Sequence, residues 1–225
     1  MLERLRGDLH DDVIEGIVQT YREYPTTGML VCVSGPSGVG KGTVIAALKK
    51  IMPSLEHSIS VTTREPREGE VDGVDYYFRT KEEFATMLEN NQILEHDVYG
   101  GNFYGTPREA IERRIGSGED IIMDVTVPGS LSVLDKFSTS CNIFLLPPSL
   151  SELEKRLRER GTETEESMIF RSKKAIDEIN QATKFDYILI NKDVEQTARE
   201  IHHILIAEKL RAVRRPGIEK VVLGR

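Results

Sequence analysis

The sequence predicts an α/β domain in which a parallel sheet flanked by helices is interrupted midway by a small, mainly antiparallel insert. Three observations predict it. Strand-like and helical stretches alternate from Gly28 to Leu55 and again after Pro107. Between them, over residues 58–106, short strands cluster around a single helix. The first strand also turns through glycines directly into a helix.

That turn organises the chain. Met29-Leu30-Val31-Cys32-Val33 is followed by Gly35-Pro36-Ser37-Gly38-Val39-Gly40-Lys41-Gly42-Thr43, which opens a helix running to Ile51. A strand bending through glycines into a helix leaves several N–H groups unpaired at the positive end of the helix dipole. Such a turn cradles phosphate, with Lys41 as the cation that follows the β- and γ-phosphates. The pattern places a hydroxyl directly after the lysine; here Gly42 stands there and Thr43 follows, so Thr43 is the candidate metal contact, through water. A nucleoside triphosphate site is the expectation.

Length and charge bound the rest. A chain of 225 residues suits one good-sized domain. Its net charge of −7 argues against a broad nucleic-acid or anionic-membrane surface, so any anion site is local. No apolar run is long enough to span a bilayer, and Met1-Leu2-Glu3-Arg4 opens no apolar signal segment, so a cytoplasmic protein is expected. Cys32 and Cys141 lie in apolar runs and read as buried free thiols.

Taken in order, residues 1–27 carry Leu9, Val13, Ile14, Ile17, Val18 and Tyr21 at helical spacing, an amphipathic extension ended by Pro25 and Gly28. His57 to Arg64 alternates as one strand, with Ser60, Thr62 and Arg64 on one face. Asp75 to Phe78 is a short strand, and Thr80 with Glu83 forms a capping box for a helix to about Asn90. Ile93–Tyr99 and Asn102–Thr106 are strands joined through Gly100-Gly101, with Tyr104 and Thr106 sharing a face. A helix follows Pro107, then a buried strand from Glu119 to Val125 carrying Asp124 at its carboxyl end, where such sheets bind ligands. Asn142 to Leu146 is another buried strand.

Ser149 with Glu152 caps a helix turning Leu150, Leu153 and Leu157 inward and leaving Arg156 and Arg160 on another face. After a polar break, residues 161–166, a long helix carries Arg171 in its second turn. Two helices joined by a polar link and bearing arginines have the anatomy of a lid, over residues 149–182. Phe185 to Ile190 is the last strand, with Asn191 at its end; Val194 to Arg214 is the closing helix, and residues 216–225 are a loose tail.

These stretches together resemble the guanylate kinases, in the nucleoside monophosphate kinase group of the P-loop superfamily. The resemblance rests on Ser60-Val61-Thr62-Thr63-Arg64-Glu65-Pro66-Arg67-Glu68-Gly69-Glu70, Gly73 to Phe78, Ile93-Leu94-Glu95, Gly101 to Thr106 and Arg160 to Glu166, and it runs from about Gly28 to Leu210. It implies a P-loop core over 28–57 and 107–215 and a GMP-binding insert over 58–106. By that resemblance Arg64, Arg67, Tyr76 and Tyr104 hold the GMP phosphate, Glu95 with Ser60 and Thr106 reads the guanine, and Asp124 touches the acceptor. Arg156, Arg160 and Arg171 join Lys41 in catalysis, and Asn191 lies near the adenine of ATP.

The implied reaction is phosphorylation of GMP, and of dGMP, by ATP with Mg²⁺. A monophosphate with second pKa near ~6 is already largely dianionic at neutral pH, so no protein base is expected. Two places depart from the family pattern: Gly42, where serine is usual, and Asp124-Val125-Thr126-Val127-Pro128-Gly129, which stands for D-x-D-x-Q-G. Two rivals remain beside this reading: a related kinase with another monophosphate or phosphosugar acceptor, and a non-catalytic interaction module of the same shape. The sequence does not choose between a monomer and a homo-oligomer.

Overall fold

The computed structural model describes residues 27–159 and 165–224. The helix expected before Thr27, Arg160 and residues 161–164 of the polar break lie outside the described residues.

A five-stranded parallel sheet forms the centre, in the order β2 (Glu56–His57), β7 (Ile121–Asp124), β1 (Leu30–Ser34), β8 (Cys141–Leu146), β9 (Tyr187–Ile190). Strand β1 is buried along its whole length and its side chains alternate between two cores. Val31 and Val33 pack with Ile45 and Leu48 of α1 (Lys41–Ile51) and with Ile201 of α7 (Val194–Lys209). Leu30 and Cys32 face Ile111 of α3 (Arg108–Gly116) and Val133 of α4 (Val127–Lys136). Both cysteines are buried free thiols. Among the described residues no helix is long and apolar enough to cross a membrane.

The insert is a four-stranded sheet ordered β4 (Tyr77–Phe78), β3 (Val61–Thr62), β6 (Asn102–Pro107), β5 (Ile93–Tyr99), antiparallel except for the β3–β4 pair. One face packs Val61, Ile93 and Phe103 on Phe84 of α2 (Lys81–Glu89), whose capping box between Thr80 and Glu83 forms as the sequence indicates. The other face is left for the site.

Several local expectations are corrected. His57 to Arg64 is not one strand: His57 pairs with Ile122 in the large sheet, whereas Val61 and Thr62 pair with Gly105 and Tyr104 in the small one. The chain changes sheets over residues 58–60, and the Thr62 hydroxyl is committed to Phe103 O at 3.0 Å. Helix α4 was not foreseen. Its signals were Thr126, which caps the helix by accepting from Gly129 N at 3.3 Å, and a proline in its first turn. In α5 (Leu150–Glu159), Leu153 and Leu157 are buried, but Leu150, on the same face, is 44% exposed at the first position of the helix. Helix α7 ends at Lys209 rather than Arg214, where a short 3₁₀ turn (Ala212–Arg214) takes over. The tail expected to be loose carries α8 (Ile218–Leu223).

Candidate active site

The phosphate loop lies at the carboxyl end of β1. Gly35 (φ 143°) and Gly40 (φ 99°) hold conformations that side chains rarely adopt, and a Cβ on Gly35 would stand 2.4 Å from Leu145 O. Gly40 caps α1 with no side-chain hydrogen bond, so the first-turn N–H groups point into the loop's concavity. Lys41 Nζ donates to Gly35 O at 2.9 Å and stands 3.9 Å from Asp124 Oδ1. Ser37, Gly42 and Thr43 are exposed, Pro36 and Val39 are buried, and Gly38 packs against Leu157.

The loop is braced from behind. Asn191, expected near the adenine, is 2% exposed beneath the loop: Nδ2 donates to Val39 O at 2.7 Å and Oδ1 accepts from Thr197 Oγ1 at 3.2 Å. Arg156 lies against the same carbonyls, Nη1 donating to Val39 O at 3.4 Å and to Asn191 O at 3.3 Å, with Glu152 holding its Nε at 3.0 Å. Arg171, on α6 (Glu165–Ile179), reaches the loop directly through Nη1 to Ser37 Oγ at 3.4 Å. The two arginines thus approach the loop from the two helices of the expected lid.

The second half of the site is the open face of the small sheet. Glu95 sits at a register shift in which Leu94 and Glu95 together oppose Thr106, a bulge that sends Leu94 into the main core and Glu95 into the cleft. Lys136 Nζ donates to Leu94 O at 2.6 Å, satisfying a carbonyl at the bulge. Glu95 is 6% exposed and accepts from Thr106 Oγ1 at 2.6 Å. Burial pushes its carboxyl above the usual range, and the Thr106 hydrogen bond offsets only part of that.

Across from it, Arg64 Nη2 donates to both carboxylate oxygens of Glu70, at 2.8 and 2.9 Å, and the guanidinium lies 5.4 Å from the ring centre of Tyr76, whose ring is 6.1 Å from that of Tyr104. The hydrogen bond donated to Glu70 is the chief reason the pKa of the Arg64 guanidinium is raised further. Arg67 stands at the exposed rim with its N–H held by Glu70 Oε2 at 2.7 Å, and Ser60 is half-buried in the crossing between the sheets.

The two halves meet at the corner from β7 into α4. Asp124, at the end of β7, faces Lys41; its carboxyl is raised by burial, with Lys41 and His57 pulling the other way. Its charge also reaches the Tyr76 phenol. Five residues on, Gly129 is packed so closely on Glu95 that a Cβ would lie 2.5 Å from Oε2. Sequence reasoning missed Glu70, Gly129 and the bulge. The packing of Gly129 and the bulge follow only from register and tertiary contact.

Donors for a divalent cation near Lys41 are oxygens, the Thr43 hydroxyl and the Asp124 carboxylate. Among the described residues no cluster of three or more His, Cys, Asp or Glu is built to hold a metal alone. That set fits Mg²⁺, which keeps its waters and shares phosphate oxygens rather than occupying an all-protein cage.

Comparison with known proteins matches residues 27–208 to the guanylate kinase family model. The chain is 43% identical over 191 residues to "Guanylate kinase" of Desulfitobacterium hafniense (strain Y51), covering 85% of this chain and 96% of that protein. It is 47% identical over 181 residues to "Guanylate kinase" of Halalkalibacterium halodurans, covering 80% and 89%. The crystal structure of guanylate kinase from Anaplasma phagocytophilum superposes with a TM-score of 0.73 at 32% identity, covering 89% of this chain and 96% of that one. With the family model matched over residues 27–208 and these relatives over most of its length, the chain belongs to the guanylate kinase family.

Proposed function

We propose that this guanylate kinase transfers the γ-phosphoryl group of ATP to GMP, and to dGMP, by holding two anions end to end across the β7–α4 corner. The observation that carries the reading is that corner: Asp124 faces the phosphate-loop lysine and Gly129, five residues later, faces the Glu95 carboxylate. One short stretch of backbone fixes the distance between donor and acceptor.

Residues 35–43 cradle the ATP phosphates, with Lys41 leaving Gly35 O to follow the charge in flight. Arg156 and Arg171 add positive charge from the lid side, and the sequence places Arg160 with them. Asn191 acts through the loop, by bracing it. Magnesium bound with ATP supplies further neutralisation of phosphate charge, and Thr43, through water, and Asp124 are the oxygens that would hold it.

On the acceptor side Arg64, Arg67, Tyr76 and Tyr104 take the monophosphate; guanidinium forks suit it bidentately and phenols donate without adding charge. Glu95 accepts from guanine N1–H and the 2-amino group, while Ser60, and Thr106 once its hydroxyl turns from Glu95, serve O6. Adenine offers neither donor and would leave the buried carboxylate unpaired, an error that can cost on the order of 10⁴ in specificity. These side chains address base and phosphate, which is why dGMP is included. The acceptor oxygen is already anionic, so catalysis rests on positioning and charge neutralisation. Two buried free thiols suit a cytoplasmic enzyme.

The test is ADP release with GMP, dGMP, AMP and UMP as acceptors. GMP and dGMP should be turned over far faster than the others, and Lys41→Ala should abolish turnover without lowering the melting temperature. Faster use of AMP or UMP overturns the acceptor assignment.

A further inference from the structure

Two segments of this chain fall outside the family match of residues 27–208, and they meet. Thr27 N donates to Arg214 O at 3.0 Å, and Lys209 Nζ donates to Thr27 O at 3.4 Å. Chain before Thr27 therefore starts out beside the C-terminal segment. That segment carries an apolar surface: Val213 is 53% exposed, Val221 51%, Val222 73% and Leu223 61%. Helix α8 has no buried residue, and a six-residue helix does not hold itself together in water.

The preceding sequence has the complementary character. Leu9, Val13, Ile14, Ile17, Val18 and Tyr21 recur at helical spacing, and Asp8, Asp11, Asp12 and Glu15 are interleaved with them. The exposed cations of the C-terminal segment are Arg211 and Lys220, beside the exposed Glu219, whereas Arg214 and Arg215 are buried. Five residues between Tyr21 and Thr27 reach about 20 Å when extended, enough to lay that stripe across α8.

We propose that residues 9–21 dock on residues 210–223 of the same chain, apolar stripe on apolar face and acidic side chains toward the basic ones. The contact forms an accessory clasp at the end of the sheet away from the phosphate loop. Connection through a short link gives it a high effective concentration, which favours the chain's own segment over a second copy.

Hydrogen exchange of the full chain tests this, with GMP kinase turnover as an independent readout that should not change. Ile17→Asp, and separately deletion of residues 1–25, should speed exchange of the amides of residues 218–223 by about tenfold while β1 and α7 keep their protection. Val222→Asp should speed exchange of residues 9–21 in return. Unchanged exchange at 218–223 in both N-terminal variants overturns the proposal. So does protection that appears only on raising protein concentration about a hundredfold, which would make a second copy the occupant.

Discussion

Gly129 and Glu95 are packed so that only a hydrogen fits between them: an ideal Cβ on Gly129 would stand 2.5 Å from Glu95 Oε2. Its φ is not in the left-handed region, so alanine suits the helix backbone there and gains about 1 kcal/mol in helix propensity over glycine. Gly129→Ala should therefore keep the melting temperature within a few degrees yet displace the carboxylate. GMP kcat/KM is expected to fall about a hundredfold with KM for ATP unchanged. Steady-state kinetics with each substrate varied separately checks this.

Burial raises the Glu95 carboxyl, and the sign of the consequence is fixed. On the proposed reading guanine binds the carboxylate form, so GMP kcat/KM should begin to fall on acidification at a higher pH than an ordinary glutamate, near 4.3, would impose. Without ligand the raised value favours the neutral form. The stability associated with it is full below the unfolded-state pKa and is lost as pH rises through the folded one. Glu95→Gln should thus be more stable than wild type at about pH 8, and the difference should close toward about pH 4, in urea unfolding.

Glu70 holds Arg64 Nη2 through both carboxylate oxygens, at 2.8 and 2.9 Å, before any acceptor arrives. We expect Glu70→Ala to raise KM for GMP about tenfold with kcat nearly intact, because the guanidinium loses its preset orientation. Arg64→Lys should be worse, since an ammonium cannot reproduce the planar fork. An unchanged KM in Glu70→Ala would mean that Arg64 needs no such holder.

Thr126 stands where the family pattern has a second aspartate, and here it caps α4. Aspartate caps as well as threonine, so Thr126→Asp should preserve both stability and turnover, whereas Thr126→Ala should cost about 1 kcal/mol. A large loss of turnover in Thr126→Asp would show that this corner has been rebuilt around the hydroxyl.

Arg214, 1% exposed, meets Glu208 at 2.9 Å, and Glu208 is 3% exposed. Arg214→Met leaves that carboxylate with Tyr187 and the half-exposed Arg211. A loss of about 3 kcal/mol is expected. At roughly 2–4 °C per kcal/mol this lowers the melting temperature by about 10 °C. Thermal unfolding with unaltered GMP kinetics checks it.

Much of this was legible in the residues. The phosphate loop, the Thr80–Glu83 box and the Gly100-Gly101 hairpin are local devices whose chemistry is written within a few positions. What escaped depends on partners distant in sequence. The break after His57 arises because two different sheets offer pairing on either side of residues 58–60. Glu95 owes its direction to a bulge whose carbonyl is met by Lys136, and Asn191 is drawn under the loop by Val39. Spacing along the chain registers none of these.

The register shift in β5 constrains the length of that strand. Because Leu94 is seated in the main core while its neighbour points into the cleft, inserting or deleting one residue in this strand would exchange their environments. A carboxylate would be driven into hydrocarbon and a leucine turned into the cleft. One residue added at the Gly100-Gly101 hairpin turn would instead leave Glu95 in place.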